Sequence, residues 1–158
     1  MSVMINTTIN GKAVSASAEA STSLLEFLRD TLEMKGSKLC CNTGECGACT
    51  VIYNGKPINT CVTMAADANG ADIITIEGLA DGDKLHPVQQ AFIDTSAVQC
   101  GYCTPGFIMS VKALLDHTTK PTPSDIEEAV SGNICRCTGY NKIVDAIHLA
   151  ADRIAGRA

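Results

Sequence analysis

The chain has 158 residues, with 12 basic and 17 acidic side chains and a net charge of −5 at pH 7. This length fits one domain or two small ones, and a small domain buries too little apolar surface for high stability without added cross-links or metal. The acidic balance leaves no basic stripe and argues against nucleic-acid partners. No apolar run approaches the roughly 20 residues that span a bilayer, and no signal-peptide pattern opens the chain. We therefore expect a soluble, cytoplasmic protein with no membrane insertion.

Two hairpins are predicted in the first half. Asn10-Gly11 and Asn54-Gly55 are strong two-residue turn signals, and alternating apolar residues flank the first of them. The predicted strands are 5–9, 14–18, 50–53, a return strand that delivers Cys61, and 73–76.

One helix is predicted between the hairpins. Ser23 and Glu26 have the spacing of a capping box, and the leucines that follow have helical spacing: Leu24, Leu25, Leu28 and Leu32. The first half therefore predicts a small mixed sheet wrapped on one helix.

The second half is predicted to be helical. After a segment rich in Gly and Asp at 78–84, the apolar period changes from two to 3.6 residues, so we place a domain boundary between 1–78 and 79–158. The first of four predicted helices runs from Pro87 to about Asp94, and the second has Thr104 as N-cap and Pro105 as N1. The third starts at Thr122-Pro123, with Asp125 at N3, and stops near Gly132-Asn133. The fourth presents one apolar face, formed by Ile143, Ile147, Ala151 and Ile154. Short connections between them favour a compact four-helix bundle.

The first half contains a quartet of cysteines with a specific spacing. Cys41, Cys46 and Cys49 form C-x4-C-x2-C, and Cys61 follows at the end of the second hairpin. This is the spacing by which plant-type ferredoxins hold a 2Fe-2S cluster, whose irons need four thiolates. A structural zinc site is the alternative, although its cysteines usually come as two C-x2-C-like pairs.

Small residues separate these cysteines. Gly44 and Gly47 allow a positive φ and leave backbone N–H groups free to approach the cluster sulphurs, and Ala48 is small for the same reason. Such hydrogen bonds raise a reduction potential because they stabilise added negative charge. Cys40 adds a C-x5-C alternative, but the spacing favours Cys41 and leaves Cys40 as a thiol without a ligand role.

A second quartet occupies the helical half. Its members are Cys100, Cys103, Cys135 and Cys137. Each pair precedes a predicted helix start, where free N–H groups and the helix dipole favour an anionic cluster and its reduced state. By itself a C-x2-C with a C-x-C would also suit zinc or a redox dithiol. Beside a ferredoxin-like quartet we prefer a second 2Fe-2S cluster, and a disulfide scaffold does not fit a chain without a secretory signal.

Three strings in this sequence resemble one family. TGECGACTV at 43–51, AVQCGYCTPGFIMS at 97–110 and GNICRCTGYNKIV at 132–144 are similar to the small iron–sulphur subunits of the molybdenum hydroxylases, the xanthine dehydrogenase and aldehyde oxidoreductase superfamily. The resemblance covers essentially the whole chain and implies an α+β fold, with an N-terminal β-grasp plant-type ferredoxin domain followed by a C-terminal four-helix bundle domain. One departure is Cys40, where the family usually has glycine.

The resemblance also implies a function. The first quartet would hold an outer cluster nearer a flavin, and the second an inner cluster nearer molybdenum. Gln99 and Cys137 would contact the molybdopterin of a large subunit, and a medium subunit would carry FAD. Electrons would then be relayed during hydroxylation of an aldehyde or aromatic N-heterocycle on another chain, in a complex that is cytoplasmic or exported with a partner. The alternatives are a freestanding two-cluster electron carrier and a zinc-stabilised interaction module.

Overall fold

The computed structural model describes residues 1–157, which form a five-stranded mixed sheet with one short helix, followed by four further helices. The strands are β1 (Ser2–Ile9), β2 (Lys12–Glu19), β3 (Thr50–Tyr53), β4 (Lys56–Asn59) and β5 (Asp72–Ile74). The helices are α1 (Leu24–Glu26), α2 (Pro87–Asp94), α3 (Thr104–His117), α4 (Pro123–Val130) and α5 (Asn141–Ile154). Within residues 1–157, no helix is long and apolar enough to cross a membrane.

The sheet has the strand order β2-β1-β5-β3-β4, in which β1 and β5 are parallel and the other neighbours antiparallel. Both predicted hairpins are confirmed, and Asn10 and Gly11 have φ of 52° and 74°, as this kind of turn requires. Strand β5 ends at Ile74 instead of the predicted residue 76. It ends there because the Asn10 side chain accepts a hydrogen bond from the backbone N–H of Thr75 at 2.9 Å.

Helix α1 begins as predicted and is shorter than predicted. The Ser23 hydroxyl accepts a hydrogen bond from the Glu26 N–H at 3.2 Å, and the Glu26 carboxylate accepts one from the Ser23 N–H at 2.9 Å, which confirms the capping box. After Glu26 the chain continues as a π-helical turn, Phe27–Thr31. Buried Leu24 and Phe27 pack with Ile5 in the core beneath the sheet.

The helical half differs from prediction at its helix ends. Helix α3 begins at Thr104 with Cys103 as its N-cap, one residue earlier than predicted, because Cys103 itself has helical backbone angles. Pro87 opens α2, and Thr122 caps α4 through a capping box with Asp125, as expected. Helix α4 ends at Val130, two residues before the predicted stop.

Helix α3 joins the two halves. One apolar core lies between the sheet and α1, and another lies among the helices, where α2 packs on α5 and α3 on α4. On its other side α3 packs against β3, where Met109 and Ala113 contact Ile52. The loops that carry the two cysteine quartets therefore meet at the amino-terminal end of α3.

Candidate iron–sulphur sites

The loop of the first quartet, residues 41–49, is held by side chains and backbone around it. The Lys38 N–H donates to the Ala48 carbonyl at 3.0 Å, and the Asn59 side chain donates to the Gly44 carbonyl at 2.5 Å. The buried Thr60 hydroxyl donates to the Cys49 carbonyl at 2.9 Å. Because Thr60 adjoins Cys61, this bond fixes the fourth cysteine against the loop.

Two glycines of this loop have the backbone that the sequence predicted. Gly44 and Gly47 have φ of 81° and 66°, where a side chain is strained. At Gly47 there is a second reason for glycine. A Cβ there would lie 2.3 Å from both the Asn133 side-chain nitrogen and the Gly132 carbonyl oxygen, so this loop is packed directly against the second half of the chain.

The sulphur of Cys41 receives backbone hydrogen bonds. The N–H groups of Thr43 and Cys46 donate to it at 3.4 and 3.5 Å. A hydrogen bond from the Thr43 side chain, followed by these backbone donors, lowers the pKa of the Cys41 thiol to about 5. The sequence therefore builds a loop that stabilises a thiolate at this position, as a metal ligand requires.

The four thiols of this quartet lie close to one another. Burial raises the pKa of Cys46, whose thiol is in contact with Cys41. Burial, together with the neighbouring thiol of Cys49, raises the pKa of Cys61 to about 12. Cys61 also interacts with Cys41, so the four thiols of the first quartet are neighbours of one another.

The second quartet is built on the turns that precede α3 and α5. Cys103 is the N-cap of α3, and Cys135 is buried in the turn before α5. The Thr138 hydroxyl and N–H donate to the Cys135 sulphur at 3.0 and 3.4 Å. Burial raises the pKa of the Cys135 thiol, but the Thr138 hydrogen bonds outweigh it and leave that pKa below its usual value.

The thiols of the second quartet also lie close to one another. Burial, and then contact with Cys135, raises the pKa of Cys103 to about 12. A hydrogen bond with Cys100 raises the pKa of Cys137. Cys103 also interacts with Cys100, and Cys137 with Cys135, so the thiols of the two turns lie close together.

The convergence of four thiols in each quartet fits a 2Fe-2S cluster in each site. The two irons of such a cluster take four protein thiolates, and each quartet supplies four thiols.

One side of the second quartet is open to solvent. Gln99, Cys100 and Cys137 are exposed there. Large apolar side chains surround them, with Tyr102 47 % and Ile134 54 % exposed. This combination is typical of a surface that another chain covers.

Cys40 lies beside the second site as well as the first. It is exposed and lines a cavity of about 130 Å³ with Cys46 and with all four cysteines of the second quartet. The hydroxyl of Tyr102 donates to the carbonyl of Leu39, which brings this segment to the second loop.

Hydrogen bonds connect the two quartets directly. The Ile134 N–H donates to the Cys46 carbonyl at 3.0 Å, and the Asn133 side chain donates to the Gly47 carbonyl at 3.1 Å. Sequence reasoning missed Asn133 and also Thr138. Their position within three residues of Cys135 is the one signal that could have found them.

Comparison with known proteins finds two 2Fe-2S-binding regions in this chain. A family model described as a 2Fe-2S iron-sulfur cluster binding domain matches residues 7–72, and one described as a [2Fe-2S] binding domain matches residues 75–148. The small FeS subunit of nicotinate dehydrogenase from Eubacterium barkeri is 48% identical over 97% of this chain and 98% of its own length.

Solved structures share the fold. A chain of quinoline 2-oxidoreductase from Pseudomonas putida 86 superposes with a TM-score of 0.92 at 38% identity, over 99% of both chains. Aldehyde oxidoreductase from Desulfovibrio desulfuricans gives 0.93 at 41% identity, over 98% of this chain and 17% of that longer one. Because the chain has two 2Fe-2S-binding regions and is similar to these proteins along almost its whole length, it belongs to the family of small iron–sulphur subunits of the molybdenum hydroxylases.

Proposed function

We propose that this chain is the electron-transfer subunit of a multi-subunit molybdenum hydroxylase. It would relay electrons from a molybdopterin centre through two 2Fe-2S clusters to a flavin subunit or another acceptor. The observation that carries this proposal is the pair of four-cysteine sites whose loops are hydrogen-bonded to each other between Cys46 and Ile134. When bound, each cluster supplies one-electron redox chemistry.

The cysteines divide into two ligand sets in this proposal. The outer cluster is held by Cys41, Cys46, Cys49 and Cys61, and the inner cluster by Cys100, Cys103, Cys135 and Cys137. Each set has its own apolar core beside it, which supports a β-grasp domain at 1–78 and a four-helix bundle domain at 79–158.

The backbone supplies a short connection between the two ligand sets. Cys46 belongs to the first set, and its carbonyl accepts the hydrogen bond from Ile134. Ile134 is bonded to Cys135 of the second set. One hydrogen bond and a few covalent bonds therefore join ligands of the two clusters.

The exposed side of the second quartet is the surface that would meet the large subunit. Gln99 and Cys137 lie there beside exposed Cys100, and we assign Gln99 and Cys137 the contact with molybdopterin because the family resemblance implies it and both are solvent-exposed, whereas Cys135 is buried and Cys103 half-buried. Replacing Gln99 with Ala should leave iron content intact and slow cluster reduction by substrate. Unchanged rates at full molybdenum occupancy would remove Gln99 from this role.

The names of the relatives suggest the substrate class. Nicotinate and quinoline are electron-poor aromatic N-heterocycles, and another relative acts on aldehydes. Hydroxylation of such a compound would take place on the partner chain, in the cytoplasm or after export with a partner.

Purification of the native complex tests the proposal. The tagged chain should co-purify with a large subunit that contains molybdenum and with a flavin-containing subunit, and its visible absorption should bleach with dithionite. A colourless, zinc-containing chain would contradict both cluster assignments. A chain that purifies alone with full iron and transfers electrons freely would favour the freestanding carrier.

A further inference from the structure

Asn133 contacts the first-quartet loop although it lies 86 residues away along the chain. Its side chain is 4 % exposed, and its amide nitrogen donates to the Gly47 carbonyl at 3.1 Å inside the protein. It is separated from Cys135 by one residue, and Gly47 follows Cys46. This contact therefore joins positions within two residues of a cysteine of each quartet.

The Gly47 carbonyl does not need Asn133 to be satisfied. The hydroxyl and N–H of Thr50 also donate to this oxygen, at 2.7 and 3.1 Å. A buried carbonyl that keeps two other donors loses little when a third is removed. The main effect of the Asn133 hydrogen bond is therefore to connect the two halves of the molecule.

The surrounding packing leaves the loop little freedom on this side. A Cβ at Gly106, in the first turn of α3, would lie 2.0 Å from the Gly47 oxygen. Contact with helix α3 prevents the first-quartet loop from moving closer to the second half of the chain, and the hydrogen bond from Asn133 prevents it from moving away. The carbonyl of Gly47 is held between them.

We propose that Asn133 is a positioning residue that sets the separation of the two cysteine quartets, and with it the electronic coupling between their clusters. This inference rests on the proposed function, because it assumes two clusters. Asn133 need not contact either cluster, since it acts through the loop backbone.

The test uses the whole cluster-loaded chain in its complex. Asn133→Leu replaces the buried amide with an apolar side chain of similar volume and removes the donor. Asn59→Leu is the matched control, because Asn59 also donates to a carbonyl of this loop, that of Gly44, and the hydrogen bonds of its side chain, with Gly44 and Thr50, stay within the first half. Asn133→Ser is a second variant, to be used if the Asn133→Leu chain does not fold.

Two readouts are required for each variant. The first is iron content with the separate paramagnetic signals of the two reduced clusters, which tests the two-cluster function itself. The second is the magnetic splitting between the clusters when both are reduced, which depends on their separation and not on fold stability.

We expect Asn133→Leu and Asn133→Ser to retain both signals and full iron, with a loss of splitting and slower electron transfer between the clusters. Asn59→Leu should retain the splitting. Unchanged splitting in both Asn133 variants, or an equal loss in Asn59→Leu, would overturn the positioning role. A wild-type chain with one signal would instead contradict the proposed function.

Discussion

Thr138 is a side chain that touches a proposed ligand sulphur. Its hydroxyl donates to Cys135 at 3.0 Å, beside the N–H bond at 3.4 Å. Donors to a thiolate stabilise the more negative, reduced cluster and so raise its potential. The first quartet has comparable backbone donors at Cys41. Each potential can therefore be adjusted by residues that are not ligands.

Thr138→Val should lower the potential of the inner cluster, because it removes the hydroxyl donor at nearly constant shape. A shift of up to about 59 mV is expected, which is tenfold in a one-electron equilibrium. A redox titration followed by electron paramagnetic resonance measures it. Thr118→Val, beyond the carboxyl end of α3, is the matched control. An equal shift of the outer cluster would show that the hydroxyl has no local effect.

At the scale of elements, the amino-terminal end of α3 is packed closely against the first-quartet loop. Gly106 lies there against the Gly47 carbonyl. Alanine is the better helix former by about 1 kcal/mol, but a Cβ at 2.0 Å from a backbone oxygen cannot be accommodated without movement. The free-energy cost of the steric overlap should therefore exceed the gain in helix propensity from alanine.

Gly106→Ala should therefore destabilise the chain by about 1–3 kcal/mol, the usual range for overpacking, and displace the first-quartet loop. Thermal unfolding and iron retention measure the two effects. Gly132→Ala is the control, since its Cβ would meet nothing within 4 Å. If Gly106→Ala unfolds at the same temperature as the native chain or higher, the close approach has no energetic consequence.

The elements that could be predicted well from the sequence are those stabilised by interactions between residues close together in the chain. The Asn10-Gly11 turn and the Ser23 capping box depend on neighbours within a few residues, and both are confirmed. The early end of β5 depends on Asn10, 65 residues away from Thr75. Sequence spacing alone could not supply that contact.

The same distinction applies to the sites. Cysteine spacing predicted the first quartet as a cluster site, and the second was preferred as one because it accompanies the first; the structure brings the four thiols of each quartet together. The bond from Asn133 to Gly47 crosses from one half to the other, so it became visible only in the folded chain.

At the scale of the whole molecule, the two sites have separate supports. The first depends on the sheet and its hairpin, and the second on the starts of α3 and α5. Because the two cores are distinct, loss of one cluster should leave the other in place.

Cys49→Ser should therefore remove the outer cluster and keep the inner one. In the complex, substrate should still reduce the inner cluster, while transfer to the flavin stalls. Iron analysis and low-temperature spectra measure this result. Cys40→Ala is the control and should keep both clusters. Loss of both clusters in a folded Cys49→Ser chain would contradict the two-domain division, and loss of the outer one in Cys40→Ala would make Cys40 a ligand.

The most direct measurement is the cluster content of the native chain. Chemical analysis should find about four iron and four sulphide ions per chain, as two 2Fe-2S clusters require. Full reduction should give two paramagnetic species, because one site lies in a glycine-containing loop and the other at helix starts. About two irons per chain, or a single species on full reduction, would contradict the two-cluster relay.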